Sequence, residues 1–290
     1  MKLHIMTWNI RGEASLGWDN RYEIKSKLVD KIIEEKADVV VLTAFVVVKG
    51  TDYLLKQLES HKYIWFQVSR TGKNGILIAI KKELVVCDEK LSDKLFYGDV
   101  VSSEFEGCNI LKVTLPLKCK MMLSIMGCRM ETGHKKDWRE QYDFQRKCFE
   151  ELLIPEIDKS KNSDICILCG DFNNAKHYGR LEETFKHVEQ EYWGNSWDEK
   201  NKCCIYKNGK KVKEKRAHYN YNLHRIKDTL SEKGFQLWEK EGDWTFKDKY
   251  NNEIHDDHIF VRGLTYESSG IIESNLSDHN VIWAEAKLEY

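Results

Sequence analysis

The sequence predicts an α/β (α+β) fold in which two packed sheets are covered on both outer sides by helices. Three observations carry that expectation. Short apolar, β-branched runs such as Asp38–Phe45 and Ile165–Cys169 are too brief for helices and too uniformly apolar for half-exposed strands, so they are strands buried on both faces. Amphipathic segments of helical period separate several of these runs and supply the covering layers. No shift in composition divides the 290 residues, and with only 2 prolines there is no proline-rich linker. The chain is therefore expected to be one domain over residues 1–290, carrying a basic insertion at about 198–227.

Taken in order, Leu3–Asn9 alternates weakly and runs into Arg11-Gly12, a strand ending in a loop. Tyr22, Ile24, Leu28, Ile32 and Ile33 recur at helical spacing up to Lys36, with Asn20 placed to cap that helix. After the buried strand Asp38–Phe45 come a short helix around Leu54–Glu59 and strands at Tyr63–Val68 and Gly75–Ile80. Val100–Phe105 and Asn109–Leu115 flank Glu106-Gly107-Cys108 as a hairpin. Met121–Arg129 is a further strand and Trp138–Ile157 a long amphipathic helix. The strand Ile165–Cys169 is expected to break at Gly170-Asp171-Phe172-Asn173-Asn174. Helices around Leu181–Glu191 and Leu223–Lys233 follow, and Trp244–Lys247, His258–Val261 and Val281–Ala286 complete the strands.

Composition narrows the function. The formal charge is 46 − 47 = −1, so attraction to a polyanion has to come from local clustering. Met1–Asn9 turns polar too soon for a secretory leader, and no apolar stretch is long enough to span a bilayer. The 9 scattered cysteines suit reduced thiols in a cytoplasm. Cys166-x-x-Cys169 lies inside an apolar run and reads as buried small hydrophobes rather than half of a zinc site. Most tryptophans read as core, with Trp18, in a polar loop, the candidate to face a substrate. Neither a membrane-insertion segment nor a partner-protein motif is evident.

The informative residues are polar ones that finish apolar strands. A strand buried on both faces has no reason to end in carboxylates and amides unless its end faces a site. Thr7-Trp8-Asn9-Ile10-Arg11-Gly12, Leu42-Thr43-Ala44-Phe45, Gly127-Cys128-Arg129, Gly170-Asp171-Phe172-Asn173 and Ser277-Asp278-His279-Asn280 are the strand ends of this kind, with Asp256-Asp257-His258 leading a neighbouring strand. Hydrolysis of a phosphodiester needs an activated water and stabilisation of charge on phosphate. Oxygen ligands from Asp and Asn suit Mg²⁺ or Mn²⁺. A histidine beside a carboxylate is held in one tautomer, as base or as donor to phosphate. Taken alone, Asp171 and Asn173 would also be ordinary turn formers.

In this order, Trp8-Asn9-Ile10-Arg11-Gly12, Gly170-Asp171-Phe172-Asn173, Asp257-His258-Ile259-Phe260 and Ser277-Asp278-His279 resemble the endonuclease/exonuclease/phosphatase superfamily across nearly the whole chain. The resemblance implies a DNase I-like, four-layer α/β/β/α sandwich of two mixed sheets and a Mg²⁺- or Mn²⁺-dependent phosphodiesterase. It implies that Asn9 sits near metal and phosphate, with Arg11 beside it as a substrate contact. Asp171 and Asn173 would position nucleophile and phosphate, and Asp278 would be a metal-side carboxylate. His279 would be the catalytic histidine with Asp257 orienting it, and Arg129 would lie near the leaving group unless it serves a structural salt bridge. The departure is Ala44, where Val39-Val40-Val41-Leu42-Thr43 leads to the family's metal-binding glutamate. Alanine has no oxygen donor, so rate should fall about a hundred-fold or more. The intact remainder favours a deliberate replacement in an active enzyme over natural decay.

Between Lys200 and Lys227 lie ten Lys and Arg residues, Lys210, Lys211 and Lys213 among them, against one acid, Glu214, with Tyr206, Tyr219 and Tyr221 interleaved. That combination suits a phosphate backbone and exposed bases, although lysine-rich surface loops are commonly just solvated. DNA or RNA is the expected substrate of a nuclease. The alternatives are a non-catalytic nucleic-acid-binding relative and a small-molecule or lipid phosphoesterase of the same fold.

Overall fold

Strands that alternate between two apolar faces need cover on both, and the computed structural model shows how this chain supplies it. It describes residues 2–10, 23–70, 73–86, 99–102, 109–130, 145–177, 197–198, 203–204, 206–207, 210–211, 223–239, 244–247 and 253–288. The strands are β1 (Lys2–Asn9), β2 (Val39–Phe45), β3 (Tyr63–Arg70), β4 (Lys73–Lys81), β5 (Asp99–Ser102) and β6 (Asn109–Pro116). Then come β7 (Met122–Arg129), β8 (Ile165–His177), β9 (Trp197–Asp198), β10 (Cys203–Cys204), β11 (Tyr206–Lys207) and β12 (Lys210–Lys211). β13 (Gln236–Leu237), β14 (Phe246–Lys247), β15 (Glu253–Arg262), β16 (Thr265–Ile272) and β17 (Val281–Lys287) complete them. The helices are α1 (Ser26–Glu34), α2 (Thr51–Ser60), α3 (Ile154–Lys159), entered through a π-helical turn at Cys148–Leu153, and α4 (Leu223–Glu232).

One sheet has the order β16-β17-β1-β2-β4-β3 and the other β13-β15-β8-β7-β6-β5, with β14 added alongside β15. Both are mixed: β1 runs parallel to β2 and β7 to β8, the other pairs within them being antiparallel. Period-2 alternation sorts the side chains into layers. Val39 and Val41 point between the sheets, with Ile76 and Ile78, against Ile125, Ile167, Ile259 and Val261. Val40 and Leu42 point outward to Leu28 and Ile32 of α1 and Leu54 and Leu58 of α2. On the far side Met126, Cys166 and Leu168 meet Phe149, Leu153, Ile226 and Leu230. The result is the expected four-layer α/β/β/α, DNase I-like sandwich.

Two glycines let the sheets approach near the functional end. A Cβ on Gly127 would lie 2.7 Å from Ile76 Cγ2 and 2.9 Å from Val41 Cγ1. Gly170 has φ +137, and a Cβ there would meet Cys128 O at 2.1 Å and Thr43 Cγ2 at 3.0 Å. A larger residue at either place would push β2 away from the second sheet.

Several sequence expectations are corrected. β8 does not stop at Gly170 but runs on to His177, and after an interruption beyond Asp171 it pairs with β15 again at Lys176 and His177. β15 accordingly begins at Glu253 rather than His258. The edge strand β16 was not expected, since its exposed and half-buried positions lack an apolar stripe. α1 starts at Ser26 with Lys25 at the N-cap, so Asn20 does not cap it. The helix expected over Trp138–Ile157 is described from residue 145, turns π-helical at Cys148 and extends to Lys159. β14 is shorter than the expected Trp244–Lys247 strand, and β5 ends at Ser102. The helix expected at Leu181–Glu191 lies outside the described residues, as do Arg11, Trp18 and Lys213. Cys128, Cys148, Cys166 and Cys169 are buried free thiols, and burial pushes Cys169 up to about 12, so they act as small apolar residues. Among the described residues no helix is long and apolar enough to cross a membrane.

Candidate active site

β1 ends in Asn9, whose neighbour across the parallel ladder is Thr43 of β2, and Ile10 N donates to Thr43 O at 3.1 Å. Residue 44 thus lies at the same strand end as Asn9. Ala44 is fully buried with φ 53, at a slip in register between Thr43 and Phe45 against β4. The left-handed region costs a residue with a Cβ roughly 1–2 kcal/mol. From the other sheet, β8 brings Asp171 beside Thr43 through the contact at Gly170. Asn173, with φ 47, is a residue type that tolerates this region.

A chain of polar contacts joins the two sheets. Asp257 Oδ2 lies 2.7 Å from His279 Nδ1. Asn9 Nδ2 stands 3.4 Å from His279 Nε2, and as an amide N–H it donates there only while Nε2 is unprotonated. The same Nδ2 donates to Asp171 Oδ2 at 2.8 Å. Asn173 donates to Asp171 twice, N to Oδ1 and Nδ2 to Oδ2, both at 2.9 Å, and its Nδ2 also bonds Met130 O. Arg129 Nε lies 3.8 Å from Asp171 Oδ2. Backbone contacts hold the frame: Ser277 Oγ donates to Asn9 O at 2.7 Å and accepts from His279 N at 3.2 Å, while Trp8 Nε1 donates to His279 O at 2.9 Å.

Burial makes the charges interact strongly. Burial, then the Asp257 charge, pushes Asp171 up to about 6 against the pull of His279 and Arg129. Burial alone would lower His279, but the charge and hydrogen bond of Asp257 outweigh it and raise the imidazole to about 9. Asp256 is pushed well above the usual carboxylate value by burial, then by Asp171 and Asp257. One group poised near neutrality beside a cation that stays protonated is an acid–base arrangement.

Of the residues singled out from sequence, Asn9, Arg129, Asp171, Asn173, Asp257 and His279 converge here. Asp278 is exposed at the rim, next to His279. Arg129 is buried on Asp171, so the salt-bridge alternative describes its contact. Lys210 and Lys211 form β12, paired antiparallel with Tyr206 and Lys207. Three participants were missed. Thr245 Oγ1 accepts from Asp256 N at 3.0 Å and from Asp257 N at 3.2 Å, Phe246 stacks on His279 at 4.9 Å, and Asp256 joins the electrostatics. Trp244-Thr245-Phe246 carried no polar strand-end signal, whereas the doubled Asp256-Asp257 could have pointed to Asp256.

Two stacked mixed sheets with an acid–histidine–amide cluster where their strand ends meet define the class. The chain belongs to the endonuclease/exonuclease/phosphatase family, whose model matches residues 6–279. The fold is similar to that of D. rerio TDP2 complexed with single strand DNA product, at 16% identity, TM-score 0.58 and 99% coverage of both chains. It is also similar to ANGEL2, a 2′,3′-cyclic phosphatase, at 16% identity and TM-score 0.61, covering 99% of this chain and 95% of that one. An endonuclease/exonuclease/phosphatase from Beutenbergia cavernae gives 13% identity and TM-score 0.61, covering 99% of this chain and 72% of that one. No curated protein matches the chain.

Proposed function

We propose that residues 1–290 form one phosphodiesterase domain acting on DNA or RNA, with turnover impaired by Ala44. The observation that carries this is the continuous chain Asp257–His279–Asn9–Asp171, which crosses from one sheet to the other. Asp171, poised near neutrality, takes the proton of an attacking water. His279, kept protonated by Asp257, presents an N–H to a phosphate oxygen. Asn9 and Asn173 orient Asp171, and Arg129 balances its charge. Lys210, Lys211 and Lys213, with Arg11, offer the charge that would follow a nucleic-acid backbone. The buried free thiols suit a reducing compartment such as the cytoplasm.

The donor set fits a hard divalent cation such as Mg²⁺ or Mn²⁺. Asp256 Oδ1 and Asp257 Oδ1 are buried with no hydrogen-bond partner among the described residues, leaving carboxylate oxygen where a cation would be welcome. Asn9, Asp256 and Asp278 would hold the ion, which when bound neutralises charge on the phosphate. Residue 44 adds nothing to that set. Its left-handed backbone persists without the side chain that would justify the strain, which supports replacement of a functional residue.

The test is Ala44→Glu, assayed with Mg²⁺ or Mn²⁺ on single- and double-stranded oligonucleotides. The expected outcome is a gain of about a hundred-fold or more in cleavage rate. Inertness of this variant with every metal and oligonucleotide, alongside retained salt-dependent binding, would instead make the chain a non-catalytic nucleic-acid binder.

A further inference from the structure

The β15–β8 ladder slips between His255 and Asp257. From His255↔Lys176 to Asp257↔Asp171 the ladder advances two residues in β15 and five in β8, so β8 carries the extra residues. In an unbroken strand, residues three apart face opposite sides, but across this irregularity His255 and His258 share a face, their imidazoles stacked 5.0 Å apart at 22°. Both are buried on the helix-covered side of the sheet, where His258 meets Phe172 edge-on. Glu239, two residues beyond β13, presents Oε2 to both rings, 3.4 Å from His255 Nε2 and 3.3 Å from His258 Nδ1. One ligand atom from each of the three residues lies within 4.8 Å of the other two.

Tetrahedral zinc, with bonds of about 2.0–2.2 Å to nitrogen and carboxylate oxygen, sets neighbouring ligand atoms roughly 3.3–3.5 Å apart. The two contacts to Glu239 have that separation. Two neutral imidazoles and a carboxylate form a three-ligand zinc set. Ligation through Nδ1, the atom that faces Glu239, needs His258 as a neutral imidazole with its proton on Nε2.

We propose that Glu239, His255 and His258 form a transition-metal site of zinc type, distinct from the oxygen-lined cluster on the opposite face. Its nitrogen ligands select zinc-class ions over Mg²⁺. Bound metal ties the Glu239 segment to β15 directly behind Asp256 and Asp257, and so holds the bulge that sets both carboxylates. The proposal does not depend on the phosphodiesterase activity.

The test is titration of the chelator-stripped full chain with Co²⁺ in excess Mg²⁺, read by visible absorption. One equivalent should give the bands of four-coordinate cobalt without thiolate charge transfer, be displaced by Zn²⁺, and raise Tm. Glu239→Gln and His255→Gln should each weaken uptake at least ten-fold while far-ultraviolet circular dichroism is retained, and Asp278→Asn should leave the bands unchanged. A wild-type chain that takes up no cobalt overturns the proposal whatever the variants do. Folded Glu239→Gln protein with unchanged affinity overturns it too.

Discussion

On its inner face β15 presents Asp256 and Asp257 to Asp171 and His279; on its outer face, within the same four residues, it presents His255 and His258 to Glu239. The inner set joins two sheets, since His279 precedes β17 of one and Asp257 belongs to the other. The outer set stays within one sheet and the segment beside it. The inner set gathers several carboxylates around one imidazole, and mutual repulsion plus burial leaves its proton affinities displaced. The outer set gathers two imidazoles around one carboxylate. Displaced proton affinities suit proton transfer, whereas nitrogen-rich ligation suits a fixed ion.

The comparison breaks most sharply at Asp257. Asp257→Ala leaves His279 buried without its counter-charge and should cost about 3–5 kcal/mol in urea unfolding. A loss below about 1 kcal/mol would mean that the two sheets are not tied through this pair. The same pair makes a prediction about pH. The folded imidazole is raised to about 9 above an ordinary 6.5, so its contribution is complete below about 6.5 and disappears as pH rises through 9. With chelator present, the stability difference between wild type and His279→Asn should therefore shrink between those values, as followed by urea melts across pH. A difference that grows with pH would reverse the assigned sign. The smallest effect is expected at Thr245→Val, which removes the acceptor of two backbone N–H groups at the bulge. It should cost about 1–3 kcal/mol and, in the Ala44→Glu background, lower kcat more than it alters KM for oligonucleotide. Unchanged stability would show that the bulge needs no prop from Thr245.

Much of this was legible in the residues. β2 reads as a buried strand because all seven of its residues are apolar or small and uncharged, and all seven are buried. The polar strand ends Asn9, Asp171, Asn173 and Asp257, with His279, pointed to one site because carboxylates and amides are costly to bury elsewhere. The edge strand β16 was not legible, since it lacks an apolar stripe. The continuation of β8 past Gly170 was hidden as well, since a glycine followed by Asp and Asn has the composition of a turn. Thr245 has no local mark at all, because its role is to accept bonds from residues 11 and 12 positions away.

From sequence alone came the sandwich of two sheets and the polar strand ends that join them. These follow from hydrophobic period and residue chemistry, which are local properties of the chain, whereas the expectation of a missing oxygen donor at Ala44 came from the family resemblance. Which face each residue of His255-Asp256-Asp257-His258 serves was decided by tertiary structure, because the ladder to β8 is irregular between His255 and Asp257 and the alternation is inverted there. That inversion depends on the register of β15 against β8, a pairing between segments some eighty residues apart that no local pattern encodes.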